Sequence, residues 1–160
     1  MPQDFRMKWW GWGAEAIRYE AARHPGLLSY LRDTFGIASL KPRPEFSLER
    51  CRLPDSRLPP DTARDLQAAL GPTGVDVSAG ERVRHAFGKS YRDLLRIRSG
   101  DIPSPPDAVL YPETEEHLSR IMELAARYGM ALVPFGGGSS VVGGLETEKA
   151  PHPLLAVVDL

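Results

Sequence analysis

The segment Pro134-Phe135-Gly136-Gly137-Gly138-Ser139-Ser140-Val141-Val142-Gly143-Gly144 constrains this chain more than any other. It follows Ala131-Leu132-Val133, an apolar run with the pattern of a buried strand. Five glycines and two serines in eleven residues exceed what a turn needs. One or two glycines at positive φ reverse a chain. A longer run keeps side chains off the backbone, so that consecutive N–H groups form a concave nest for phosphate or pyrophosphate. Two common phosphate loops are excluded. A Walker A loop ends in Gly-Lys-Ser/Thr, whereas Gly138 precedes Ser139-Ser140 and the only later lysine is Lys149. A G-x-G-x-x-G loop opens a helix, and Val141-Val142-Gly143-Gly144-Leu145 is a poor helix start. On these residues alone, a flexible or tightly turning glycine loop stays open as the alternative to a site for a phosphorylated cofactor.

The neighbouring pattern places the loop. Asp107 to Tyr111 is a short apolar run closed by Pro112. Thr114 caps the next helix, and Glu115 and Glu116 suit its positive N-terminal end. Leu118, Ile121, Met122, Ala125 and Tyr128 share one helix face, and Gly129 is the stop. Ala131 to Phe135 and Leu154 to Leu160 read as strands. Strand, amphipathic helix and strand make a βαβ unit, expected to be right-handed and parallel. The glycine loop then lies at the C-terminal end of a parallel strand, where open α/β sheets bind ligands. Leu154 to Leu160 is apolar on both faces, as in a central parallel strand. Only one clear βα unit is legible to cover it. The 160-residue chain is therefore expected to be marginal by itself, a fragment or an early-terminated product.

Residues 1 to about 105 have a different texture, rich in Arg and Pro. Helices are expected over Glu15 to Arg23 and from Pro25, the latter with Leu27, Leu28, Leu31 and Phe35 on one face and Gly36 as stop. Lys41 to Pro60 holds five prolines and reads as an extended connector. Asp61 to Leu70, Glu81 to Phe87 and Tyr91 to Ile97 are further helices, and Gly100 to Pro106 is a turn. The expected organisation is an N-terminal helical segment, 1–105, followed by an α/β unit, 106–160. Trp9, Trp10 and Trp12 read chiefly as a hydrophobic latch, with stacking on a partner or ligand as the alternative. Arg82, Arg84, Lys89, Arg92, Arg96 and Arg98 read chiefly as a solvated, salt-bridged face, with phosphate binding as the alternative. His24, His85, His117 and His152 have no metal-site spacing, so no metal is expected.

Composition narrows the class. Hydrophobic residues are 42% and charged residues 26%, as in globular domains. A net charge of −1 gives no global field favouring nucleic acid or membrane. A single cysteine, Cys51, forms no internal disulfide. No apolar run approaches the ~20 residues of a membrane span, and Met1 to Arg6 lack the apolar core of a signal peptide. A cytoplasmic protein is expected.

Two motifs then resemble a known family. Tyr91 to Asp101, followed by Pro106-Asp107-Ala108-Val109-Leu110-Tyr111-Pro112 and Glu113 to Glu116, resembles the entry to the FAD-binding domain of the vanillyl-alcohol oxidase and p-cresol methylhydroxylase (PCMH) class. Pro134 to Ser140 is similar to that class's P-x-G-G-G-x-S loop, which wraps the FAD pyrophosphate. Trp9-Trp10-Gly11-Trp12-Gly13 resembles the alkyl-dihydroxyacetone phosphate synthases within it. The resemblance implies an α/β (α+β) fold in which 106–160 begins a PCMH-type FAD domain, incomplete at its C-terminus. It implies FAD held through Pro134, Phe135, Gly136, Gly137, Gly138, Ser139, Ser140, Gly143 and Gly144. Many relatives attach FAD through a His in this loop. Ser139 stands at that position, so non-covalent FAD is implied. The implied activity is flavin-dependent oxidation of a small hydroxy compound. The alternative is ether-lipid synthesis, exchanging the acyl group of an acyl-dihydroxyacetone phosphate for a fatty alcohol. The substrate would then be a lipid or phosphorylated ketone, and a homodimer is allowed. The family's catalytic residues fall in later parts, so none is assigned. A non-catalytic interaction module is the reading from a different class.

Overall fold

The computed structural model describes residues 7–17, 23–37, 47–147 and 152–160. The chain forms two compact units, 1–46 and 47–160. The compositional change near residue 105 falls inside the second unit.

In the first unit, Met7 bridges Ala14 in antiparallel fashion and the Lys8 N–H donates to the Gly13 carbonyl at 2.9 Å. This closes a loop in which Trp9 is buried and packs edge-on against Trp10, centroids 5.4 Å apart. Trp12 is exposed, so the three tryptophans do not act as one cluster. Helix α1, Pro25–Phe35, starts on proline and ends at Gly36 in the left-handed region, as its sequence predicts. Its expected face is not a core: Leu28 and Leu31 are half-buried, Leu27 and Phe35 exposed. Glu15 to Ile17 is turn rather than helix, and most of the helix expected there lies outside the described residues.

The second unit is a four-stranded sheet with helices packed on it. Its elements are α2 (Pro60–Leu70), β1 (Val75–Asp76), α3 (Ala79–Arg84), α4 (Tyr91–Ser99), β2 (Ala108–Leu110), α5 (Glu115–Tyr128), β3 (Met130–Phe135) and β4 (Leu154–Asp159). The sheet order is β1-β2-β4-β3. β2, β4 and β3 are parallel, with Ala108 opposite Ala156 and Leu132 opposite Ala156 on its other side. β1 pairs antiparallel to β2 and has no counterpart in the sequence reading. Two residues are too short a run for alternation to show.

The expected strand–helix–strand unit is present and parallel, but its strands are not neighbours, because β4 enters between them. Pro134 helps to explain this. It has no N–H for a ladder on a second side, so β3 belongs at an edge. β4 is the central strand, and Leu154 to Val158 are all buried. Its cover is not a single βα unit. Leu66 and Leu70 of α2 join Ile121, Leu124 and Ala125 of α5 in one core over Leu154, Ala156 and Val158. α3 packs on β2, and the neighbouring Val83, Phe87 and Ile97 are buried outside that core. At roughly 1.5–3 kcal/mol for each large apolar side chain fully buried, residues 47–105 supply much of what holds the sheet.

Local signals set the helix ends. The Thr114 hydroxyl accepts the His117 N–H at 3.1 Å and Gly129 closes α5 in the left-handed region. Ser90 and Asp93 form a reciprocal capping box at α4. The turn over 100–106 ends in Asp107, which is buried and staples the N-terminal ends of the parallel strands. Its carboxylate accepts the Arg57 N–H and Nε at 3.1 Å each, Arg57 Nη2 at 3.0 Å and the Leu155 N–H at 2.9 Å. Its own N–H donates to Leu155 O at 2.7 Å, and Ser56 Oγ donates to its carbonyl at 2.7 Å.

A glycine loop at the carboxyl ends of the strands

β3 ends at Phe135, and the 136–153 connection returns the chain to the start of β4. Because the two strands are parallel, this connection is a crossover, and it leaves from the C-terminal edge of the sheet. Tyr111, Phe135 and Asp159 stand together at that edge.

The geometry sorts the nine residues expected to hold a cofactor. Gly136 and Gly137 are exposed, and a Cβ at either would meet no other atom within 4 Å. No hydrogen bond among the described residues uses the N–H groups of Gly136, Gly137, Gly138 or Ser139. Four successive donors are therefore available among the described residues, the first two beside open space. Gly138 is buried at φ +63°, and a Cβ there would lie 2.6 Å from Phe135 Cζ, so both conformation and space require glycine. Ser140 is committed to the loop itself. Its carbonyl accepts the Lys89 N–H at 2.7 Å, and its hydroxyl oxygen accepts the Gly144 N–H at 3.3 Å. Its hydroxyl hydrogen remains to donate outward. The Gly143 carbonyl accepts the Glu146 N–H at 3.1 Å. Phe135 is turned inward against the His85 ring, centroids 4.4 Å apart, and Pro134 faces the groove between α5 and β3.

The loop rests on residues that the sequence reading did not bring to it. Gly88 packs directly on Ser140. Arg96 reaches Glu146 at 3.3 Å, and the Thr147 hydroxyl donates to the Ser104 carbonyl. Beneath it, His85 Nδ1 lies 2.8 Å from Glu81 O and Nε2 lies 3.4 Å from Asp159 Oδ2. The Tyr111 hydroxyl donates to Glu81 Oε2 at 3.0 Å. Burial, then the Glu81 carboxylate, pushes the Tyr111 pKa up. Lys89 is buried, and desolvation pulls its ammonium down to about 8, opposed by the Asp93 carboxylate.

The basic stretch is thus not one solvated face, nor one phosphate site. Arg82 is buried and donates to the carbonyls of Pro106 and Pro54 at 2.7 and 3.0 Å, fixing the opposite end of the sheet. Arg84 pairs with Glu81, Arg96 with Glu146, and Arg92 and Arg98 are exposed. No group of three His, Cys, Asp or Glu among the described residues is arranged to hold a metal. No helix among them is long and apolar enough to cross a membrane. The only sequence hint of the 85–89 platform is a glycine, Gly88, just before the Ser90 cap. Nothing local marks what it touches 52 residues later.

Comparison with known proteins agrees with this geometry. Residues 106–152 match the model of an FAD binding domain. The chain is 36% identical to the alkyldihydroxyacetonephosphate synthase of Trypanosoma brucei brucei, over 92% of this chain and 26% of that protein. It is 34% identical to the Dictyostelium discoideum enzyme of the same name, over 64% of this chain and 17% of that protein. A solved alkyldihydroxyacetonephosphate synthase superimposes with a TM-score of 0.83 at 26% identity, covering 96% of this chain and 32% of that one. The chain thus spans between a sixth and a third of the length of these relatives. A parallel sheet with a glycine loop at its carboxyl edge, matched in sequence and in fold, makes this chain a member of the FAD-binding family to which the alkyldihydroxyacetonephosphate synthases belong.

Proposed function

We propose that this chain holds the pyrophosphate of FAD on the N–H groups of Gly136, Gly137, Gly138 and Ser139, with the Ser140 hydroxyl as a further donor. The carrying observation is the run of four donors with no partner among the described residues, the first two at glycines whose Cβ space is open. A doubly charged pyrophosphate is the acceptor such a nest suits. Hydrogen bonds to a charged group contribute about 1.5–3 kcal/mol each. Phe135, Gly143 and Gly144 act behind this surface by holding the loop's shape. FAD, when bound, supplies electron-transfer chemistry that no side chain has. The protein's part is to bind and orient it.

Ser139 stands where many relatives carry an attachment histidine, and a serine makes no bond to the flavin ring there. We therefore propose non-covalent FAD. Acid precipitation of the flavin-loaded protein should leave the yellow colour in the supernatant. Colour in the pellet would refute this.

Between oxidation of a small hydroxy compound and ether-lipid synthesis, the synthase-named relatives favour the second. The proposal is a flavoprotein acting on an acylated, phosphorylated ketone and a fatty alcohol, with this chain supplying the start of its FAD site. Gly137→Val tests the site itself. The structure has room for the side chain, so folding by circular dichroism should persist while bound flavin is lost. Normal flavin occupancy in that variant would overturn the assignment.

A further inference from the structure

The glycine loop is held from outside as well as by its own hydrogen bonds. Two backbone segments far apart in sequence meet at Gly88 and Ser140. A Cβ at Gly88 would lie 2.2 Å from the Ser140 carbonyl oxygen, 3.1 Å from its carbonyl carbon and 3.3 Å from its Cβ. Contacts below 3.0 Å force something to move, and here the obstacle is backbone, which has no rotamer to change. Gly88 itself has no left-handed conformation. Its lack of a side chain is needed for space alone. The approach lets the next residue, Lys89, donate its N–H to the same Ser140 oxygen at 2.7 Å. Ser140 in turn accepts the Gly144 N–H on its hydroxyl. One residue therefore joins the end of the donor run to the 88–89 backbone and to the loop's return.

We propose that Gly88 is a positioning residue for the FAD site. By admitting the Ser140 carbonyl, it sets the direction in which the 136–139 N–H groups face. This rests on the pyrophosphate reading above. Gly88 touches neither the flavin nor the substrate, and acts only through Ser140.

The test uses full-length protein and FAD as the probe. Gly88→Ala should weaken FAD affinity about tenfold, the scale of one lost charge-assisted contact. Fluorescence titration measures it. In the flavin-free variant, the hydrogen-bonded amides of Lys89, Gly144 and Glu146 should exchange faster with deuterium while those of β2 and β4 keep their protection. Gly137→Val is the control. If it binds FAD normally, the pyrophosphate reading itself falls. If it loses FAD while Gly88→Ala retains both affinity and loop exchange, the positioning role falls and the pyrophosphate reading stands. Should Gly88→Ala not fold, the unmodified protein still decides. FAD should slow exchange of the Lys89 amide together with 136–140. Protection confined to 136–140 would overturn the proposal.

Discussion

The two ends of the parallel strands are finished in opposite ways. At the N-terminal end, one buried carboxylate, Asp107, accepts four donors from Arg57 and Leu155. At the C-terminal end, four consecutive N–H groups beyond β3 have no acceptor among the described residues. Backbone N–H donors stand at both ends, those of Arg57 and Leu155 at one and those of Gly136 to Ser139 at the other. The chain supplies an acceptor at one end; at the other, the proposed acceptor is the FAD pyrophosphate. A polar end that is satisfied internally works as a staple. One that is left open, with side-chain space vacant at Gly136 and Gly137, is on our proposal a receptor.

Three substitutions separate these roles. Gly137→Val should have the largest effect and act on the open end alone. Obstructing two charge-assisted contacts corresponds to roughly a thousandfold loss of FAD affinity. The melting temperature without flavin should hardly move, since the side chain meets nothing within 4 Å. A large fall in stability would show that the open end is structural too.

Asp107→Ala should do the reverse. It strands the Leu155 N–H and removes the partner of Arg57, whose exposed side chain adds little. The expected cost is about 3 kcal/mol of folding free energy, mostly from unsatisfied buried donors. FAD affinity of the folded fraction should be unchanged. Denaturant titration beside flavin titration checks both, and a loss of affinity with intact stability would erase the distinction between the two ends.

The smallest effect concerns Lys89, under the loop. Its folded pKa, about 8, lies below the ordinary 10.5. Folding below pH 8 therefore keeps a buried ammonium, and that penalty is relieved as pH climbs from about 8 toward 10.5. Stability should rise by about 2–3 kcal/mol across that window. Lys89→Met should flatten the rise. Urea denaturation at pH 7 and pH 10 measures the difference, and an equal pH slope in the variant would exclude Lys89 as its source.

Much of this was legible in order along the chain. Thr114, the apolar face of α5 and Gly129 specify a helix because their interactions close within one or two turns. The apolar strand runs and the side-chain-free run 136–138 are equally local. Leu154 to Val158 announced a central strand because no other environment buries both of its faces.

What the tertiary structure decided is which distant residues meet. β4 lies between β2 and β3, and periodicity has no term for strand order. Part of the cover of the sheet comes from α2 and the 79–99 region, which read as a separate segment by composition. Asp107 looked like a motif letter until Arg57 and Leu155 closed on it from 50 and 48 residues away. Gly88 belongs to no motif in the sequence. Its proposed role rests on a Cβ there falling 2.2 Å from the Ser140 carbonyl oxygen, and steric exclusion between two backbones exists only once both have been folded into the same place.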